Sequence, residues 1–229
     1  MRYFRGEDDI NMYSEFINIH YKNLIRHTFA NFRKSKLNKE KFTIISNNCW
    51  GGMIYESFNL IKQSPTVGLY ILPHDYLKFI SNIKWYLNQE LIFIKPSESK
   101  NGAYIKNEIK DERFGTYPVA KLADIEIYFV HYTSEKTATE KWNRRKTRIN
   151  WDHILYKFND QNGCTNEQLE QFLQLPLKNK IVFTVRNELK DSNDIVKLNN
   201  PLGLSYVDTF NEPFGNNRFI NIIKLINDL

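Results

Sequence analysis

The sequence predicts an α/β fold in three layers, with a mixed, mostly parallel sheet carrying helices on both faces. Short β-rich runs alternate with helical stretches along the chain, the pattern of a sheet covered on two sides. The joins between them are short. The first β-rich run also enters a glycine-containing turn that opens a helix, as the first half of a βαβ unit does. At 229 residues, with no internal repeat or low-complexity linker, the chain is expected to form a single α/β domain over 1–229.

Residues 8–38 carry Ile10, Phe16, Ile17, Leu24, Ile25, Phe29 and Phe32 at three- and four-residue spacing, which predicts an N-terminal amphipathic helix. Basic residues gather toward its end, where they complement the helix dipole. Phe42-Thr43-Ile44-Ile45-Ser46 reads as the first strand and residues 53–62 as the helix after it. Val67-Gly68-Leu69-Tyr70-Ile71 is expected to complete the βαβ unit, Pro73 to break that strand, and His74-Asp75 to open a helix reaching about Leu91. A strand follows at 91–94, then a polar segment at 96–116 that reads as an irregular loop or hairpin, then strands at 118–122 and 125–132. A helix from 134 to about 150, a strand at 153–158, a Thr165-capped helix over 165–175 and a strand at 181–185 continue the alternation. The final helix is placed at 218–227.

Composition narrows the function classes. Hydrophobic residues make up 41% and charged residues 25%, ordinary globular proportions that argue against disorder. The two cysteines, Cys49 and Cys164, are too few for a disulfide framework and read as reduced thiols. The start, Met1 to Asp9, turns acidic where a secretory signal would carry its apolar core, and no apolar run approaches 20 residues. A cytoplasmic location is expected, with peripheral membrane contact open to the N-terminal helix. The net charge of +6 invites a nucleic-acid reading. However, 22 of the 32 basic residues are lysines, and no zinc knuckle, RNP motif or heptad accompanies them, so no nucleic-acid partner is expected. Five histidines and two cysteines show no metal-ligand spacing, and neither a metal nor a cofactor is predicted.

The candidate site centres on Asn47-Asn48-Cys49-Trp50-Gly51-Gly52, because ligands of open α/β sheets sit beyond the carboxyl ends of strands. Asn47 and Asn48 offer side-chain amides at a helix entrance, where free N–H groups attract anions. Gly51 and Gly52 would let the backbone approach a ligand closely. Cys49 at the first helical turn is a candidate nucleophile, since that position lowers a thiol pKa. The same loop also reads as a capped helix with a buried cysteine and a core tryptophan. His131 ends a strand and is the candidate general base, with Tyr132 beside it. Lys141, Arg144, Arg145 and Arg148 share one helix face and could pair with a diphosphate or carboxylate. Asp124 and Glu126 lie on one strand face, like a metal-binding acidic pair, but they begin a strand instead of ending one.

Four segments together resemble one family: residues 42–52, residues 64–71, Ile127-Tyr128-Phe129-Val130-His131-Tyr132, and residues 142–150. It is the uncharacterised bacterial family labelled exopolysaccharide biosynthesis protein, found among capsule and cell-surface glycan genes. The resemblance covers about residues 40–200 and implies a setting, with an activated sugar or glycan as ligand. Under it, Asn47, Asn48 and Trp50 would meet hydroxyls and a sugar ring, and Arg145 and Arg148 a diphosphate. The expected function is a group-transfer enzyme, glycosyltransferase-like or sugar-modifying. The alternatives are a non-catalytic glycan or nucleotide-sugar binding protein, and thiol-dependent acyl or hydrolytic chemistry on Cys49 with His131.

Overall fold

The computed structural model describes Leu24 and residues 26–190, 192–200, 203–207, 212–216 and 219–229. Most of the helix expected over 8–38 lies outside these; within them, α1 is Ala30–Lys34. The chain continues as β1 (Thr43–Ser46), α2 (Trp50–Ser57), α3 (Pro73–Ser81), α4 (Ile83–Leu87), β2 (Leu91–Ile94), β3 (Val119–Leu122) and β4 (Ile125–Tyr128). Then come α5 (Glu135–Lys146), β5 (Ile154–Asn159), α6 (Asn166–Gln174), β6 (Lys180–Thr184), β7 (Ile195–Lys197) and α7 (Ile222–Asn227).

The α/β class and the helices on both faces agree with the sequence reading, and the strands prove to be divided between two sheets. One is fully parallel, in the order β1-β5-β6-β7; the other is an antiparallel β2-β3-β4 meander. On one face of the parallel sheet, Ile44, Leu155, Ile181 and Phe183 meet Trp50, Ile54 and Tyr55 of α2 and Ile222 and Ile226 of α7. On the other, Ile45, Phe158 and Val182 meet Tyr76 and Ile80 of α3, Leu169 and Phe172 of α6, and Trp142 of α5. The meander adds Ala120, Leu122, Ile125, Ile127 and Phe129 to that second core. Strands buried on both faces read as continuous apolar runs, as β1 does.

Several expectations need correction. Residues 67–71 form no strand of the parallel sheet. Tyr70 makes an isolated antiparallel bridge with Tyr128, and Ile71 N donates to Asn47 O, so the segment ties the meander to the loop after β1. The helix expected from His74 to about Leu91 starts one residue earlier, at Pro73, and breaks at Asn82 (φ −143°) into α3 and α4. The polar stretch 96–116 is built of short helical turns, Pro96–Glu98, Gly102–Tyr104 and Ile105–Ile109. It buries Ile105 and Phe114 against Tyr70, Val119 and Tyr128, covering the outer face of the meander. The last helix starts at Ile222, and β7 is a strand the sequence reading did not include.

Asp124 and Glu126 do not form an acidic pair for a metal. Asp124 accepts from Lys78 Nζ (2.7 Å) and Tyr86 Oη (2.8 Å). Glu126, buried, accepts from Ser99 Oγ and Tyr128 Oη (both 2.7 Å) and Lys100 N (2.9 Å). Burial alone would raise the Glu126 pKa, but the bonds from Tyr128, Lys100 and Ser99 together hold it below the usual carboxylate range. Among the described residues no helix is long and apolar enough to cross a membrane, and no group of three His, Cys, Asp or Glu could hold a metal ion.

Candidate functional site at the carboxyl edge of the parallel sheet

β1 and β5 end side by side, and the polar residues at their carboxyl ends converge. Lys157 and Asn159 point to the α2 face of β5, the same face as Leu155, because side chains alternate along a strand. β5 is a central strand with covered faces, so neither side chain reaches water; both are 0% exposed.

The burial is compensated by a closed set of bonds. Lys157 Nζ donates to Asn48 Oδ1 (2.9 Å) and to the carboxylate of Glu212, which is also fully buried. Glu212 accepts from Asn159 Nδ2 (2.7 Å) and from Asn48 Nδ2 (3.1 Å). Gln161 Oε1 accepts from both amides at 2.9 Å. Asn48 Oδ1 also accepts from Ser46 Oγ and Trp50 N, both 3.1 Å, so Asn48 binds the first residue of α2 as well as joining the array. Asn47 Nδ2 donates to Asn159 Oδ1 (2.7 Å), and Asn47 Oδ1 is buried without a partner among the described residues. Burial lowers the Lys157 pKa and raises that of Glu212, each opposed by the attraction of the other.

Asn47 and Asn48 are thus brought together as expected, but they bind the protein's own side chains. Trp50 is a core residue, 0% exposed, with its ring edge-on to Phe183 and its Nε1 donating to Pro213 O. It presents no face to a sugar ring. Gly51 and Gly52 serve helix–sheet packing, not ligand approach. A Cβ on Gly51 would stand 3.2 Å from Ile44 Cγ2, and one on Gly52 3.0 Å from Val67 Cγ1.

Cys49 sits at the cap of α2, yet burial first, then the Glu212 charge, pushes its thiol up to about 12. The lowering expected at a helix start is outweighed, because desolvation penalises the thiolate. Burial likewise pushes Cys164 up to about 12. Alkylation by iodoacetamide at pH 8 is therefore expected to be slow in the native protein and fast once it is unfolded in urea. Native labelling as fast as unfolded labelling would contradict these thiol environments.

A second set forms beside the array. Arg145, buried, donates from Nη1 to Val67 O (2.8 Å) and Tyr132 Oη (2.5 Å), and Tyr132 Oη donates to Val67 O (2.6 Å). Gly68 adopts φ +82°, and a Cβ there would meet the Tyr132 ring at 3.1 Å. Arg145 and Tyr132 therefore clamp the 65–68 turn and are not placed to hold a diphosphate. Arg148 reaches Lys62 O (3.4 Å), and Arg144 is exposed. His131 lies past the end of β4, its N donating to Gly68 O. The residue is exposed, but its surroundings desolvate the ring, and this, with the charge of Arg113, lowers its pKa.

The connection from β5 to α6 carries the edge onward. Asp160, buried, accepts from Thr184 Oγ1 (2.8 Å), Val185 N (2.9 Å) and Val207 N (2.5 Å), fastening β5 to the end of β6. Beyond it opens a cavity of about 490 Å³ lined by Asn166, Glu167, Val185, Arg186, Asn187, Glu188, Leu204 and Ser205. Arg186 is oriented in it by Asn166 Oδ1 (2.7 Å) and Cys164 O (2.5 Å).

The family model described as "Domain of unknown function (DUF1919)" matches residues 20–227, nearly the whole chain and every strand of both sheets. The chain belongs to the DUF1919 family. An uncharacterized protein of Haemophilus influenzae (strain ATCC 51907 / DSM 11121 / KW20 / Rd) is 39% identical over 149 residues, 65% of this chain and 64% of that protein. The match therefore spans just under two thirds of the length of that relative. The matched residues include Asn47, Asn48, Lys157, Glu212 and Arg186, so the DUF1919 region contains both the polar array and the cavity.

Sequence reasoning missed Lys157, Asn159, Glu212 and Arg186. A signal was available for the first two. A lysine and an asparagine inside the run Leu155-Tyr156-Lys157-Phe158-Asn159 cannot both be solvated if that strand is central.

Proposed function

We propose that this DUF1919 protein binds an activated sugar or glycan at the carboxyl edge of its parallel sheet and serves group transfer in the making of surface polysaccharide. The cavity beside Arg186 carries this reading. It lies where ligands of open α/β sheets bind, and its volume suits a sugar-sized ligand. Six of its eight lining residues are polar. They comprise one guanidinium, two carboxylates, two carboxamides and one hydroxyl, a donor and acceptor set that matches vicinal hydroxyls better than an apolar ligand. The capsule setting comes from the family resemblance of the sequence. His131, which lies outside the cavity lining, is the base proposed in this reading in preference to Cys49, whose thiol burial pushes up to about 12.

The test is a thermal-shift screen with nucleotide sugars and free sugars. A ligand at 100 times its dissociation constant stabilises by about 2.7 kcal/mol. Binding is expected in the wild-type protein and is expected to weaken at least tenfold in Arg186→Ala. Wild-type binding that Arg186→Ala leaves unchanged would move the ligand out of this cavity. Turnover lost in His131→Ala with binding intact would assign the base.

A further inference from the structure

We infer that Lys157, Asn48 and Asn159 form an oxyanion-binding site, and that Glu212 is its built-in occupant. An incoming ligand carboxylate or phosphate would compete with Glu212 for the same donors. Three donors from the sheet side, Lys157 Nζ, Asn159 Nδ2 and Asn48 Nδ2, converge on the two oxygens of one carboxylate. The donors are held in place without Glu212. Asn48 Oδ1 is fixed by Ser46 Oγ and Trp50 N, Asn159 Oδ1 by Asn47 Nδ2, and both amides share Gln161 Oε1. The cradle is therefore preorganised, as sites for charged ligands are.

The carboxylate differs in origin. Glu212 belongs to no helix or strand, and its segment crosses the edge at the ends of β1 and β5, where ligands of such sheets enter. Stability is a poor account of the arrangement. A buried ion pair gains little over apolar residues of the same volume, so a charged cluster at this edge points to a second use. The neighbouring contacts of the segment do not depend on the carboxylate. Pro213 O accepts from Trp50 Nε1, and the Phe214 ring lies 5.3 Å from the Arg26 guanidinium. A competing oxyanion would have to displace only the Glu212 side chain, since these contacts hold the segment in place. Its occupancy lowers the apparent affinity for any competing oxyanion by the fraction of time the cradle is filled.

The site is the array, not the Arg186 cavity, so it goes beyond the sugar reading, and either can fail alone. The test uses Glu212→Ala in the full chain, titrated with acetate, inorganic phosphate or chloride at matched ionic strength and followed by thermal unfolding. Acetate or phosphate is expected to raise the unfolding temperature of Glu212→Ala in a saturable way, with at least about tenfold tighter apparent binding than in the wild type. Chloride is expected to do far less. A response to acetate alone assigns a carboxylate ligand, and a stronger one to phosphate assigns a phosphoryl group. If Glu212→Ala does not fold in chloride, refolding in acetate or phosphate gives the same readout. The inference is overturned if neither oxyanion acts beyond chloride, or if Lys157→Met/Glu212→Ala responds equally. Sugar binding to Arg186→Ala reads the other site and leaves these outcomes unaffected.

Discussion

Replacing Lys157 by methionine is expected to cost about 3–5 kcal/mol of stability. The methionine fills much the same volume, so the cost is not a cavity. It arises because the fully buried Glu212 carboxyl loses its counter-ion, so it either holds a charge compensated only by the Asn48 and Asn159 amides or takes up a proton to lose it. Urea unfolding would show the midpoint falling with little change in slope. Lys157→Met/Glu212→Leu is expected to recover part of the loss, because no charge is then buried. Recovery stays incomplete, since both amides lose an acceptor and keep only Gln161 Oε1. A loss below about 1 kcal/mol in Lys157→Met would mean that Glu212 swings to water, and the closed array described above would be wrong for the protein in solution.

Trp50→Ala is the second large effect, at about 3–5 kcal/mol, the range for truncating a fully buried large aromatic. The indole is, with that of Trp142, one of the two largest fully buried side chains among the described residues, sits edge-on to Phe183 at 5.1 Å and lies 5.9 Å from Lys157 Nζ. Trp50→Phe keeps most of the apolar contact and removes the bond to Pro213 O, so about 1 kcal/mol is expected. The pair of variants separates two roles. A core tryptophan loses stability in proportion to volume, and sugar affinity per folded molecule is unchanged in Trp50→Phe. A sugar platform would lose affinity in Trp50→Ala with little change in unfolding midpoint, which would overturn the placement of the ring.

The alternation of β1, α2, β5, α6 and β6 could be read directly from the sequence, because apolar runs and helical spacing report burial. The Asn47-Asn48 loop was legible for the same reason: it joins a strand to a helix at the edge where α/β sheets carry their polar groups. What stayed hidden depends on contacts between distant residues. Trp50, Tyr132 and Arg145 looked like ligand groups because Trp, Tyr and Arg are common in both roles. Only tertiary packing shows Arg145 turned onto Val67 O and Tyr132. Glu212 carries no local signal at all. It lies in an irregular segment, and its partners are 53 to 164 positions away. Residues 67–71 misled because Val, Leu, Tyr and Ile favour strands wherever they lie. The bridge to Tyr128 then drew Tyr70 to the meander instead of the parallel sheet.

The parallel register of β1 on β5 has a consequence for how the chain reaches this structure. Thr43 pairs with Ile154, 111 positions on (154 − 43), and the whole meander is enclosed within that interval. Closing so long a loop loses chain entropy before any contact rewards it, and parallel pairing of distant segments is slow for that reason. The meander shortens the search. Its strands turn back on one another within residues 91–128, and once formed it holds residues 70 and 128 together through the Tyr70–Tyr128 bridge. The unstructured path from β1 to β5 is then far shorter than the sequence interval suggests. The antiparallel sheet supplies no part of the polar array, yet a meander formed before β1 meets β5 would shorten the loop which that pairing has to close.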